Sequence, residues 1–192
     1  MKKISNMLLA SGIIAFIASL ILDKNVKSFM LLIKNPVFDL LFGWITNSMN
    51  IFVILIIITA LLLLEEKKRE WVFPLWASLM VSIAIAFAIK LIISRPRPME
   101  LPYAFLSALN FSFPSMHAMV AFAALPILNK EFADIKWFWI LFASLVAFSR
   151  IYFNFHFLSD VVFGAFLGYF IGVFIVRIEE KYNTFKFLNK TK

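Results

Sequence analysis

The sequence predicts an all-α fold, an integral membrane six-helix bundle that forms a single domain over residues 1–192. Composition supports this fold, because 62% of the residues are hydrophobic and 16% are charged, against about 45–50% and about 25% in soluble domains. The pattern supports it too, because six apolar stretches alternate with polar segments and a membrane-crossing helix needs about 20 mainly apolar residues. A soluble chain of this length could not bury so much apolar surface.

The first half of the chain is predicted to hold two spans with a mixed segment between them. The first span begins like a secretory signal peptide, but no small-x-small cleavage site precedes Asp23, so we expect it to be retained. Residues 23–47 include Asn35-Pro36 and predict a loop with short interfacial helices. The charged run at residues 65–70 ends the second span. The complete set of predicted spans is 7–22, 49–64, 71–94, 114–128, 137–152 and 156–176.

Prolines and glycines define the second half. A proline-rich stretch, residues 95–102, ends the third span because proline disfavours helix at the residue before it. The fourth span is expected to begin near Pro114, a residue suited to the first helical turn. A polar turn at residues 129–136 separates the fourth and fifth spans, and a charged tail, residues 177–192, follows the sixth. Three glycines spaced four apart in the sixth span predict a close helix-packing seam: Gly164, Gly168 and Gly172.

The basic residues predict a topology. With a cytoplasmic N-terminus, 12 of the 19 Lys and Arg residues lie on the inner face and 7 on the outer face, as the positive-inside rule requires. We therefore expect a multi-pass protein of the cell membrane with both termini in the cytoplasm. Trp71, Trp137 and Trp139 lie at the predicted inner boundaries, where we expect them to be interface anchors. The net charge of +8 is then topological, and no nucleic-acid partner is expected.

Seven polar residues stand out because charge near or inside a span costs about 2.5–3.5 kcal/mol per residue on insertion scales. Most have an alternative structural interpretation. Lys90 could extend its ammonium towards the lipid headgroups, and Arg95 and Arg97 could be anchors at the membrane interface. His117 could pack between helices, and Arg150 could form a structural ion pair with Asp160. In the predicted topology all seven fall at the outer face, which makes this face the candidate active site. They are Lys90, Arg95, Arg97, His117, Arg150, His156 and Asp160.

Together these residues suit the chemistry of a phosphate. His156 and Asp160 are spaced i, i+4 on one helix face, so the carboxylate can orient the imidazole. His117 can protonate a leaving oxygen. Ser115, otherwise a helix cap or packing residue, adds a neutral donor to the cations Lys90, Arg97 and Arg150. Two histidines and one aspartate could also bind zinc, but the neighbouring cations would repel it, so no metal or other cofactor is expected.

Three segments resemble the signature of the type 2 phosphatidic acid phosphatase superfamily. The signature reads Lys-x6-Arg-Pro, then Pro-Ser-Gly-His, then Ser-Arg-x5-His-x3-Asp. The matching residues here are Lys90 with Arg97-Pro98, then Pro114-Ser115-Met116-His117, then Ser149-Arg150 with His156 and Asp160. Met116 replaces the family glycine, which keeps the backbone N–H but adds bulk and removes the φ freedom of glycine.

The resemblance implies roles for these residues. His156 would be the nucleophile that forms a phosphohistidine, Asp160 would orient it, and His117 would be the general acid. The phosphate would be held by Lys90, Arg97, Ser115 and Arg150, with Met116 as a further binding position, and no metal would be required. Membrane members of this superfamily resemble the present chain in having six helices, with the site at the outer surface.

The expected function is a membrane phosphatase acting on a lipid phosphate or diphosphate. An isoprenoid diphosphate such as undecaprenyl diphosphate, phosphatidate and phosphatidylglycerol phosphate all fit the motif, and the sequence does not choose among them. The oligomeric state is likewise not predicted. A non-catalytic phospholipid-binding or transport protein is the alternative, distinguished by binding without turnover; haloperoxidase activity would need vanadate in the phosphate site. Paired imidazoles predict an activity that is bell-shaped in pH.

Overall fold

The structure, a computed structural model, describes residues 2–99 and 110–182. Part of the predicted proline-rich stretch, residues 100–102, and part of the predicted cytoplasmic tail, residues 183–192, lie outside the described residues. The α-helices of the described part, labelled α1 to α7, are Lys2–Leu32, Pro36–Thr46, Ser48–Leu64, Val72–Ile93, Met116–Glu131, Lys136–Tyr152 and Leu158–Tyr182. Short 3₁₀ segments, Glu66–Trp71 and Ala133–Ile135, precede α4 and α6.

Four helical segments of the described residues are long and apolar enough to cross a membrane: Leu9–Leu32, Lys68–Ile93, Ala133–Tyr152 and Leu158–Tyr182. A bent pair, Pro36–Thr46 with Asn50–Leu64, would add a fifth span across its 49° bend. The predicted count of six spans is therefore not confirmed. The protein is an all-helical, multi-pass membrane protein with four or five such segments.

The predicted end of the first span at residue 22 is wrong, because α1 continues to Leu32. The first residue beyond the predicted end, Asp23, is only 5% exposed and pairs with Arg95 across 2.8 Å. A charge paired inside the protein does not have to leave the helix for water. The expected loop at residues 23–47 is accordingly mostly helical, with α2 beginning at an Asn35 cap that accepts from the N–H of Phe38.

The other predicted spans are close to the observed helices, with shifts at their ends. Pro114 precedes α5 instead of opening it, and α7 begins at Leu158, so His156 lies in the turn before that helix. Two of the expected interface anchors are also wrong, because Trp71 and Trp139 are buried in the core, 5% and 7% exposed. Trp137 is 71% exposed, as an interfacial residue should be.

The predicted glycine seam is confirmed, and it joins α5 to α7. A Cβ atom on Gly164 would lie 2.7 Å from the carbonyl oxygen of Ser115, and Cβ atoms on Gly168 and Gly172 would overlap carbonyl oxygens of α5. Only glycine therefore lets the two backbones approach this closely. The contact at Gly164 lies at the start of α5, so the seam sets the distance between the first turns of the two helices.

Candidate active site

The sequence-predicted site residues converge at one end of the bundle. The end of α4, the start of α5, the end of α6 and the start of α7 meet there. Backbone hydrogen bonds join these segments: the N–H of Ser115 donates to the carbonyl of Asp160 at 3.0 Å, and the N–H of Ser112 donates to the carbonyl of Arg95 at 2.8 Å. Ser94 ends α4 in a left-handed conformation, φ 48°, and turns the chain into the arginine-containing loop.

His156 lies between a carboxylate and a guanidinium. Its Nδ1 is 3.6 Å from Oδ2 of Asp160, and its Nε2 is 3.2 Å from Nη1 of Arg97. A guanidinium has donors only, so Nε2 must offer its lone pair to Arg97, and the ring proton of the neutral imidazole lies on Nδ1. The side chain therefore has the lone pair of Nε2 pointing at a cation and its N–H facing Asp160.

Burial and like charge keep this imidazole neutral. His156 is 3% exposed, and burial, followed by the positive charges of Arg97 and Arg150, lowers its pKa well below the usual 6.5. A cation has to be desolvated to exist at this position, which disfavours the protonated ring. Near neutral pH, His156 is thus in the protonation state that a nucleophile needs.

Lys90 and Arg150 place two more positive charges at the same end. The ammonium of Lys90, only 1% exposed, gives two of its three donors to the carbonyls of Phe111 and Ser112, at 2.6 and 3.3 Å. Arg150 donates through Nη1 to the hydroxyl of Thr46 and stacks over the ring of Phe155 at 4.7 Å. Its Nε has no hydrogen-bond partner in the described part of the chain, which leaves a buried donor for an anion.

The first turn of α5 brings three more predicted residues to the site. Ser115, fully buried at 0% exposure, has a hydroxyl without a partner in residues 2–99 and 110–182. His117 lies one residue into α5, where the charges of Arg150, Arg97 and Lys90 act on it. Met116 is the first residue of the helix and has no positive φ. The conformational freedom of the replaced glycine is therefore not needed here.

Arg95 is the residue whose environment differs most from expectation. Its guanidinium bridges two carboxylates, with Nη1 2.7 Å from Oδ1 of Asp160 and Nη2 2.8 Å from Oδ2 of Asp23. The alternative in which Arg150 pairs with Asp160 is therefore wrong, because the ion pair that Asp160 forms is with Arg95. Arg95 is neither an interfacial anchor nor free to bind substrate.

Sequence reasoning missed Asp23, Thr46 and Asn154. Asp23 was placed in a loop, although a buried acid in α1 would have joined the seven unusual charges had the span been extended by one helical turn. Thr46 is separated from Arg150 by more than a hundred residues, and no sequence pattern indicates that contact. Asn154 occupies the turn before His156 with φ 55°, and its buried amide has no partner within the described residues.

An apolar cavity of about 210 Å³ begins beside His117 and Met116. It follows α5 to Leu128, a distance of about 16 Å along the helix at about 1.5 Å per residue, and α3 and α6 form its other walls. Representative lining residues are Ile51, Ile54, Val120, Ala124 and Phe142. The polar cluster and the apolar cavity thus adjoin at the first turn of α5.

The comparisons with known proteins agree with this arrangement. Residues 71–183 match the family model described as the PAP2 superfamily, a region that includes every predicted site residue. A crystal structure of a transmembrane PAP2 type phosphatidylglycerolphosphate phosphatase from Bacillus subtilis is similar, with 25% identity and a TM-score of 0.72 over 93% of this chain and 97% of the other. Aquifex aeolicus LpxE is similar with 26% identity and a TM-score of 0.66, over 81% and 95%.

Proposed function

The chain belongs to the PAP2 superfamily, and on this premise we propose that it hydrolyses a lipid phosphate or diphosphate through a covalent phosphohistidine. The observation that carries the proposal is the placement of His156 between Asp160 and Arg97. This placement supports attack by Nε2, with the ring held through Nδ1. Phosphoryl transfer needs mainly positioning and charge stabilisation, and three cations and a buried hydroxyl lie around this histidine.

In the first half of the reaction, the substrate phosphate occupies the space among Lys90, Arg97, Arg150 and Ser115. Arg97 then exchanges its contact with Nε2 for a phosphate oxygen, which frees the nitrogen lone pair. Nε2 attacks phosphorus and the bond from phosphorus to the leaving oxygen breaks. His117 gives its proton to that oxygen, while Asp160 stabilises the positive charge that develops on the ring of His156.

In the second half, water attacks the phosphohistidine. His117, now neutral, accepts the proton of the water, and the P–N bond breaks to restore His156 and release inorganic phosphate. The lipid product is an alcohol when the substrate is a monophosphate ester and a lipid monophosphate when it is a diphosphate. Lys90, Arg97 and Arg150 supply the positive charge throughout, so the proposed reaction is independent of metal ions.

The cavity beside His117 supports a substrate with an apolar tail. A headgroup held by the cations would place the first part of its chain at Met116, with room for apolar atoms along α5. We propose three substrates: an isoprenoid diphosphate such as undecaprenyl diphosphate, phosphatidate and phosphatidylglycerol phosphate. The similar Bacillus subtilis protein is a phosphatidylglycerolphosphate phosphatase, which supports including the last of these.

We also propose that residues 1–192 form one domain that crosses the cell membrane six times, with both termini cytoplasmic and the active site at the outer face. Besides the four long spans and the bent pair of α2 and α3, the sixth crossing is α5. This 16-residue helix is surrounded by other helices, so it does not need the length of a lipid-exposed span. Asp23 of α1 and Ser159 of α7 meet at the site, so the opposite ends of these helices lie together at the other face.

The experiment measures phosphate release by detergent-purified protein in EDTA with each of the three lipids, beside His156→Ala. Lys24→Ala, which removes an exposed charge of α1, is the control. We expect release by the unmodified protein and the control and none by His156→Ala, with an acid-labile phosphoprotein in the active samples. Lipid binding by well-folded protein without release would instead support a binding or transport protein.

A further inference from the structure

Asp23 of α1 lies against the start of α7, far from the signature residues in sequence. Its side chain is 5% exposed and both of its oxygens are used. Oδ1 accepts a hydrogen bond from the backbone N–H of Ser159 at 2.9 Å. Oδ2 accepts from the hydroxyl of Ser159 at 2.6 Å and from Nη2 of Arg95 at 2.8 Å. A buried carboxylate with three donors, one of them a paired cation, is held in one orientation.

Arg95 connects Asp23 and Ser159 to Asp160, the partner of the proposed nucleophile His156. While Nη2 contacts Asp23, Nη1 donates to Oδ1 of Asp160 at 2.7 Å and to the hydroxyl of Ser159 at 2.8 Å. The guanidinium also stacks over the ring of Phe157 at 4.1 Å. Because the guanidinium is planar and rigid, fixing one end at Asp23 fixes the direction of the other.

The orientation of Asp160 follows from these contacts. One oxygen, Oδ1, is taken by Arg95, and the other, Oδ2, accepts from the N–H of Phe157 at 2.8 Å. Only the second oxygen faces Nδ1 of His156. Turning the carboxylate plane out of this orientation would break both contacts.

We infer that Asp23 is a positioning residue of the active site, which acts through Arg95 to hold Asp160 in the orientation that His156 requires. The inference rests on the proposed function. Without the charge of Asp23, Arg95 would have one carboxylate partner instead of two and could move with Asp160 away from the imidazole. The same pairing keeps Arg95 from the substrate, since both ends of its guanidinium are already bonded.

The test is Asp23→Asn, which keeps the size of the side chain and removes its charge. We expect kcat to fall by about 10- to 100-fold, the range found when partners of metal-ligating residues are lost, while KM stays within about two-fold because no phosphate ligand is lost. Ser19→Ala is the matched control. It lies one turn earlier in α1, is 2% exposed, and its hydroxyl bonds only within the helix to the carbonyl of Phe16.

A double-mutant cycle with Arg95→Lys separates this role from a general effect on the fold. If Asp23 acts through Arg95, the double variant loses no more activity than the more affected single variant. The inference would be overturned if the double variant lost activity by the product of the two single losses. It would also be overturned if Asp23→Asn left kcat unchanged, or if it raised KM alone.

Two controls keep the result interpretable. Phosphate release by the unmodified protein, abolished in His156→Ala, is established first, so that failure of the proposed function is distinguished from failure of the role of Asp23. If Asp23→Asn does not purify as folded protein, Ser159→Ala replaces it, because that hydroxyl bonds to both Asp23 and Arg95. A smaller fall in kcat at constant KM is then expected, and an unchanged kcat would overturn the inference.

Discussion

The protonation of His156 gives a prediction that can be measured directly, because the chain has only two histidines. Burial and the neighbouring charge of Arg97 lower the pKa of His156 well below 6.5, and the contact with Arg97 places the ring proton on Nδ1. Replacing Arg97 with glutamine removes the charge and retains a neutral donor. Since a nearby positive charge disfavours the imidazolium, its removal raises the pKa of His156.

The magnitude follows from the distance. At the 3.2 Å between Nη1 and Nε2, two unit charges interact by roughly 1 kcal/mol in bulk water and roughly 5 kcal/mol at an effective dielectric constant of about 20. The guanidinium charge is delocalised and Arg97 is partly exposed, so solvent screens the interaction. Since one pKa unit corresponds to about 1.4 kcal/mol, we expect the loss of this charge to raise the pKa of His156 by an amount that a titration resolves.

The assay is nitrogen NMR of protein labelled with ¹⁵N-histidine, prepared in a His117→Ala background so that a single imidazole remains. At neutral pH the ring should show a protonated Nδ1 and an unprotonated Nε2, and it should remain neutral below pH 6.5. In Arg97→Gln the titration should move to higher pH. In Arg97→Gln protein that retains His117, the fall of kcat/KM at low pH should also move to higher pH, because the nucleophile must be neutral to attack.

Three results would refute this reasoning. A ring of the unmodified protein that titrates at or above pH 6.5 would mean that burial and Arg97 do not control its charge. A proton on Nε2 would mean that Arg97 does not donate to this nitrogen. A titration unchanged by Arg97→Gln, in a variant whose thermal unfolding matches the parent, would remove Arg97 from the electrostatics of the nucleophile.

Variants of the proposed acid, one phosphate ligand and one packing glycine give further predictions. His117→Ala should lose most of its turnover on a lipid phosphate. On p-nitrophenyl phosphate, whose leaving group needs no proton, it should still release a first burst of p-nitrophenol, because His117 is then needed only as the base of the second half. Arg97→Lys should lower kcat/KM by roughly 10- to 150-fold, the effect of one charge-assisted hydrogen bond, and unchanged phosphate release would contradict the proposed contact of the Arg97 guanidinium with the phosphate. Gly168→Ala, whose Cβ would overlap a carbonyl of α5, should lower stability by about 1–3 kcal/mol in thermal unfolding. Gly43→Ala is the control, because a Cβ atom there would lie 4.0 Å from the nearest side-chain atom, and we expect it to leave the stability of the protein unchanged. Equal unfolding temperatures for Gly168→Ala and Gly43→Ala would argue against the glycine seam.

The residues that sequence reasoning located correctly are those whose spacing is local. The glycines of α7 share one helix face, so one periodicity places all three. His156 and Asp160 are close, as predicted, but the predicted shared helix face is wrong. His156 lies in the turn before α7, with its Nδ1 3.6 Å from Oδ2 of Asp160. The end of a helix is harder to predict where a charged side chain near it pairs with a residue far away in the sequence. The first span is predicted to end at residue 22, just before Asp23, whereas the tertiary contact of Asp23 with Arg95 lets α1 continue with this charge inside the protein. The contact of Thr46 with Arg150 depends in the same way on how α2 packs against α6.

The loop arginines show why composition alone cannot assign a site. Arg95 and Arg97 are two residues apart, equally basic and each followed by proline, yet they have different neighbours. Arg95 pairs with two carboxylates, whereas Nη1 of Arg97 contacts the carbonyl of Phe155 at 2.7 Å and the lone pair of His156. Charge-assisted hydrogen bonds to carboxylates are roughly twice as strong as neutral ones. Asp23 and Asp160 therefore hold Arg95 in place, and Asp23 does so from a helix outside the signature.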